Sequence, residues 1–154
     1  MKPWYHSIKV TATAALLLLA ANSANAQDSW IIKESPASVE ITADKLEAAI
    51  GAAGATVFAR IDHAAGAKSI DAELEDMTLV VFGNPKIGTP IMQAEPRAGL
   101  DLPIRVLIWE DQGQTKIGYL DPDALQERYS IEGADQSFMT MKGALEKLTN
   151  AATQ

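Results

Sequence analysis

The chain has 154 residues, 47% hydrophobic and 21% charged, which is the composition of an ordinary globular protein of one domain and excludes a multidomain machine. It contains no cysteine, so disulfides, thiolate metal sites, cysteine nucleophiles and a lipidated cysteine are all excluded. Acidic residues outnumber basic ones, 20 against 13, and that sign disfavours nucleic acid and anionic membrane surfaces, which need concentrated lysine and arginine.

The chain opens with Lys2 and Lys9 around a polar start, an apolar run from Val10 to Ala21, and Ala24-Asn25-Ala26 as a small-x-small cleavage pattern. This predicts a signal peptide over residues 1–26, cleaved before Gln27. The run is shorter than the roughly 20 residues a membrane-spanning helix needs. Removing 26 residues from 154 leaves 128, and removing the two leader lysines leaves 11 basic against 20 acidic residues, a balance of −9. A free protein in the periplasm, or secreted, with no membrane anchor after cleavage, is the expectation.

Trp30 to Lys33 is a short β-rich stretch, punctuated by Ser35-Pro36. Thr42 and Asp44 stand at a helix start, and Leu46, Ala49, Ile50 and Ala53 recur at helical spacing before Gly54, which predicts a helix over 42–53. In Thr56–Asp62 the alternation of a strand puts Val57, Ala59 and Ile61 on one face and Phe58 and Arg60 on the other. A helical turn is expected over 64–70. Met77–Phe82 reads as a buried central strand ending at Gly83-Asn84-Pro85. Residues 86–103, with Gly88, Pro90, Pro96, Gly99 and Pro103, are the least regular part, and Thr89 is placed to cap a short helix through Gln93.

Ile104–Glu110 and Gln114–Leu120 flank Asp111-Gln112-Gly113 and predict a hairpin. Asp121-Pro122 starts a helix to Tyr129, and Phe138, Met141, Leu145 and Leu148 form the apolar stripe of a last helix over 135–149. The element order predicts an α+β two-layer sandwich, an antiparallel sheet with helices on one face. The strand from Ile104 is apolar on both sides, so a ligand or a second subunit is expected to cover part of the other face.

The segments Ile61-Asp62-His63, Phe82-Gly83-Asn84-Pro85-Lys86-Ile87-Gly88-Thr89, Leu100-Asp101-Leu102-Pro103 and Trp109-Glu110-Asp111, in this order, resemble the family called domain of unknown function 302. The resemblance runs from about Ile31 to Leu148. It implies a TBP-like α+β fold, a curved antiparallel sheet with two main helices, often as a homodimer, and no characterised activity. DNA binding does not come with that fold, because fold does not fix function and this chain is acidic. Where the family pattern implies an Arg-His pair after the Asp-Pro helix, this chain has Arg128 followed by Tyr129. The mature chain has a single histidine, which argues against a two-histidine mechanism.

No complete catalytic or cofactor motif is present, and no cofactor is expected. His63 is the one mature side chain suited to proton transfer near neutrality, and Asp62 could orient it if the backbone bends between them. The plainer reading is that His63 closes the strand end. The loop Asn84 to Thr89, with Lys86, offers backbone donors, an ammonium and a hydroxyl to an anion, though it lacks P-loop spacing; a tight turn in which Thr89 caps is the plainer account. Asp101, Arg105 and Glu110 are charged among apolar neighbours, where Asp101 and Arg105 either pair or hold a polar ligand head. Trp109 and Tyr119 would stack on a ligand or serve as core or interface residues. Met139 and Met141 resemble a copper-binding Met-x-Met, but positions two apart on a helix do not share a face, and no metal site is expected. Ser69 and Ser137 lack a nucleophile elbow.

Three functions remain. The first is binding or sensing of a small amphipathic or anionic ligand by Asp62, Asn84, Lys86, Thr89, Asp101, Arg105 and Trp109 around one hollow. The second is a homodimeric interaction module, and the third a His63-dependent enzyme.

Overall fold

The computed structural model describes residues 29–154; the leader segment read from the sequence lies outside the described residues. Five strands form one antiparallel sheet in the order β1-β5-β4-β3-β2. They are β1 (Trp30–Ser35), β2 (Thr56–Asp62), β3 (Met77–Gly83), β4 (Ile104–Asp111) and β5 (Gln114–Leu120). The helices are α1 (Val39–Ala52), α2 (His63–Lys68), α3 (Pro85–Ala94), α4 (Pro122–Tyr129) and α5 (Asp135–Ala152), with a 3-10 turn at Pro96–Leu100. The expected α+β architecture is the one found.

The long helices α1 and α5 lie side by side on one face of the sheet. Val80, Phe82, Val106, Ile108, Ile117 and Tyr119 point from the strands into a core closed by Leu46 and Ile50 of α1 and by Phe138, Met141, Leu145 and Leu148 of α5. The predicted stripe of the last helix is therefore its buried face. Two polar joints fix β1 to this layer. Ser35 Oγ and Thr42 Oγ1 share a buried hydrogen bond of 2.7 Å. Lys33 Nζ donates to Thr149 Oγ1 at 2.8 Å and Asn150 Oδ1 at 2.6 Å. Desolvation lowers the Lys33 pKa, and the nearby Glu146 only partly offsets this.

Several boundaries differ from the sequence reading for local reasons. Ser38, whose side chain accepts from Ile41 N, caps α1, so Thr42 is an interior residue occupied by Ser35 rather than a start. A bulge between Val57 and Ala59 pairs Val57 with Phe82 but Ala59 with Val81. Val57 therefore shares the helix-covered face with Arg60, which reaches Asp44 of α1 at 2.5 Å, while Ala59 and Ile61 turn to the other face. The irregular stretch is mostly ordered: Asn84, not Thr89, caps α3, which accommodates Pro90 internally, and Glu95 caps the 3-10 turn. The hairpin is as expected, with Gln112 (φ 54°) and Gly113 (φ 81°) both left-handed, as a tight two-residue turn requires.

The face opposite α1 and α5 is open over Trp30, Ile32, Ile61 and Leu120, which are 38–50% exposed. Trp109 lies between these residues, edge-on to Trp30 with ring centroids 6.2 Å apart.

Candidate functional site

At the end of the sheet where β1 and β4 begin and β5 stops, the first turns of α4 and the Asp101 segment wall a groove of about 340 Å³. Trp30, Leu79, Leu107, Leu120 and Ala124 make it apolar. Its polar end is built on Asp101, whose side chain is only 16% exposed. Arg105 Nη2 donates to Oδ1 at 2.9 Å; Arg128 Nη1 and the Tyr129 hydroxyl donate to Oδ2 at 2.7 and 3.0 Å. The two guanidiniums are about half exposed, at 47% and 51%. One carboxylate against two guanidiniums leaves the trio with a net positive charge. Asp121 also faces the groove, but it lies 3.5 Å from Lys142.

Burial alone would raise the Asp101 pKa; hydrogen bonds from Arg128 and Tyr129, with Arg105 behind them, outweigh burial and hold it below the ordinary aspartate value. The Tyr129 hydroxyl is pushed up, first by desolvation and then by its bond to Asp101. Beside Tyr129, the Arg97 guanidinium stands 5.9 Å from the centre of the ring and pairs with Glu95, whose carboxyl it draws down to about 2. Asp101 is thus an ionised anchor for two arginines that each give it one hydrogen bond and stay about half exposed. Such an arrangement can hold a carboxylate or phosphate without further rearrangement.

The other predicted residues lie elsewhere. Asp62 does not meet His63; it caps α2 by accepting from Ala65 N at 2.8 Å. His63 is the exposed first residue of that helix, just past the end of β2, the edge strand farthest from β1, and among the described residues its ring has no hydrogen-bond partner. Asn84 Oδ1 accepts from Lys86 N at 3.0 Å, and Lys86 itself is exposed. Asn84 and Thr89 line a separate apolar cavity beside α5. Glu110 is half-buried away from the groove, with its N–H bonded to Asp76 O. Tyr119 is buried and touches the groove wall. Met139 is 61% exposed and Met141 4%, so the two thioethers face apart. The structure therefore gathers Asp101 and Arg105, with Trp109 adjoining through Trp30, and separates them from Asp62, His63, Asn84, Lys86 and Thr89.

The family model described as "Domain of unknown function DUF302" matches residues 31–148. The chain belongs to the DUF302 family. Its fold is also that of an uncharacterised conserved DUF302 protein from Bacillus stearothermophilus, known from a crystal structure. The TM-score is 0.74 at 15% identity, covering 80% of this chain and 97% of that one. Among curated proteins, a protein of Brucella suis biovar 1 (strain 1330) named fluoride-specific ion channel FluC 1 is 43% identical over 99 residues. A Brucella abortus biovar 1 (strain 9-941) protein of the same name matches equally well. The match takes in 64% of this chain but only 39% and 37% of those proteins, so the chain spans under two fifths of their length.

Within this DUF302 domain, Arg128 and Tyr129 are the polar site residues that sequence reasoning missed, along with the apolar walls Trp30, Leu107 and Leu120. Arg128 and Tyr129 stand where the resemblance implies an Arg-His pair, and both serve Asp101 across 27 and 28 residues of chain. Their position at the end of the Asp-Pro helix was the available signal. Nothing local, however, links that helix to Asp101.

Proposed function

We propose that this DUF302 chain is an exported binding domain whose ligand is a small amphipathic molecule with an anionic end, held in the groove between the sheet and α4. Arg105 and Arg128 take the anionic group, and Trp30, Leu107 and Leu120 take the apolar part. One observation carries the reading: a nearly buried, ionised Asp101 fixes two half-exposed guanidiniums at the mouth of an apolar groove. Ligand sites are typically apolar hollows with a few convergent polar groups, which is the pattern here. His63, which does not line the groove and is unpartnered among the described residues, has no part in it.

The Brucella relatives support a role beside a membrane protein. In them the matched stretch is the smaller part of a chain named as a channel, whereas no helix among the described residues here is long and apolar enough to cross a membrane. That pairing favours a module serving an envelope protein over a conduit.

Calorimetric titration with octanoate, octyl phosphate and octanol tests the reading. The two anions bind and the alcohol binds at least about tenfold more weakly, while Arg105→Gln and Arg128→Gln each lower anion affinity by about tenfold, or 1.4 kcal/mol. Equal binding of all three compounds, or indifference to both substitutions, would contradict it.

A second reading has a specific observation behind it. Trp30, Ile32, Ile61 and Leu120 form an exposed apolar face that a second copy of the chain would cover. Sedimentation at micromolar concentration would then give a dimer that Ile61→Glu dissociates. A monomer at every concentration would remove this reading.

A further inference from the structure

We infer that the open cavity bordered by the end of α1, by α3 and by α5 is a second, independent site that takes one small neutral apolar molecule. It lies on the helix-covered side of the sheet and has a volume of about 280 Å³. Its floor is the core itself, Phe82, Leu145 and Leu148, each no more than 5% exposed. Its mouth is flanked by Phe58, 57% exposed, and Met92, 37% exposed. Interiors are normally packed to crystal density, so a core that opens outward is a departure. Small residues create it: Ala144 on α5 and Gly88 on α3 leave the space a longer side chain would occupy. A Cβ built on Gly88 would meet only Leu102 and Met92, both at 3.9 Å, and both also line the cavity.

The lining decides the chemistry of the occupant. No charged side chain faces the cavity, so an ionised ligand would lose its water without gaining a partner. Of the polar side chains, Asn84 already bonds Lys86 N and the Gly54 carbonyl, which leaves the Thr89 hydroxyl as a single polar contact at the rim. The volume falls between the roughly 150 Å³ of a cavity that takes benzene and the roughly 300 Å³ where drug-sized sites begin. The class is therefore a neutral aromatic or aliphatic compound of about one or two rings. The anion-binding groove and this cavity differ in charge, in sheet face and in nearly all lining residues, Ile104 being common to both.

The neutral dye N-phenyl-1-naphthylamine, followed by its fluorescence with the purified full chain, tests this. The inference predicts saturable binding of one dye per chain, weakened about tenfold or more by Ala144→Phe and by Gly88→Leu and changed by less than about twofold by Arg128→Gln. Circular dichroism reports whether each variant folds; should Ala144→Phe not fold, Gly88→Leu, which adds its side chain where space is open, decides alone. Absence of saturable binding, a stoichiometry of one dye per two chains, or a loss caused by Arg128→Gln rather than by the cavity variants would overturn the inference.

Discussion

Asp101 accepts three hydrogen bonds on a carboxylate that is mostly withdrawn from water, so its ionised state is held by Arg128, Tyr129 and Arg105 against the cost of burial. Its folded pKa lies below the ordinary 3.8, so between the folded value and 3.8 the unfolded chain binds more protons. The contribution is complete above 3.8 and is lost as pH falls through the lower folded value. Asp101→Asn keeps the shape but removes the charge that both guanidiniums face, and is expected to cost about 1–2 kcal/mol at neutral pH. Denaturant melts at neutral and acid pH check this: the gap between the two proteins should narrow below pH 3.8. A gap that stays constant on acidification would show that Asp101 is not the anchor. The Asp101-Arg105 pair was legible because two opposite charges stood close together among apolar neighbours, where an unpaired charge is costly. Arg128 and Tyr129 were not, because contact across so much chain depends on how the sheet brings α4 back over the start of β4.

At the scale of elements, the open face of the sheet is organised around a glycine. Gly118 of β5 is buried, and a Cβ there would come within 3.2 Å of Ile32 Cγ1 and of the Trp109 ring carbons Cη2 and Cζ3. The missing side chain is where the Trp109 indole lies, close to Ile32 and edge-on to Trp30. Gly118→Ala is expected to shift these groups by a few tenths of an ångström and to cost about 1 kcal/mol, the low end for overpacking because both neighbours border solvent. Near-ultraviolet circular dichroism of the tryptophans, with thermal melting, reads both effects; an unchanged spectrum would mean that Trp109 does not lie on Gly118. Strands, helices and the hairpin were readable from periodicity and turn residues. The bulge at Val57/Ala59 was not, since alternation assumes one residue per step, and the Asn84 cap lay hidden in what looked like a proline-rich loop. The pairing of β1 with β5 also had no local signature, as Ile32 meets Gly118 only through the completed fold.

For the whole molecule, the expected architecture of an antiparallel sheet with helices on one face is the one observed, but the residues with chemical promise are spread over it. The sequence reading placed them around one hollow; the fold puts Asp101 and Arg105 at one end of the sheet, Asn84 and Thr89 on the helix-covered side, and Asp62 and His63 on the far edge. Faces of a sheet and ends of strands are set by pairing order, which a list of motifs does not contain. The acidic balance of the chain gives the groove added meaning, because the Asp101 trio is a net positive spot on a protein whose formal charge is −7. An anionic ligand that binds despite that overall repulsion must be recognised locally, by the two arginines and the apolar walls. The most direct test is a nuclear magnetic resonance titration with octanoate that follows the Arg105 and Arg128 Nε–H and the Trp30 indole N–H signals. The account predicts that these three shift together and saturate together while His63 stays still; shifts centred on His63 or Lys86, or none at the arginines, would contradict it.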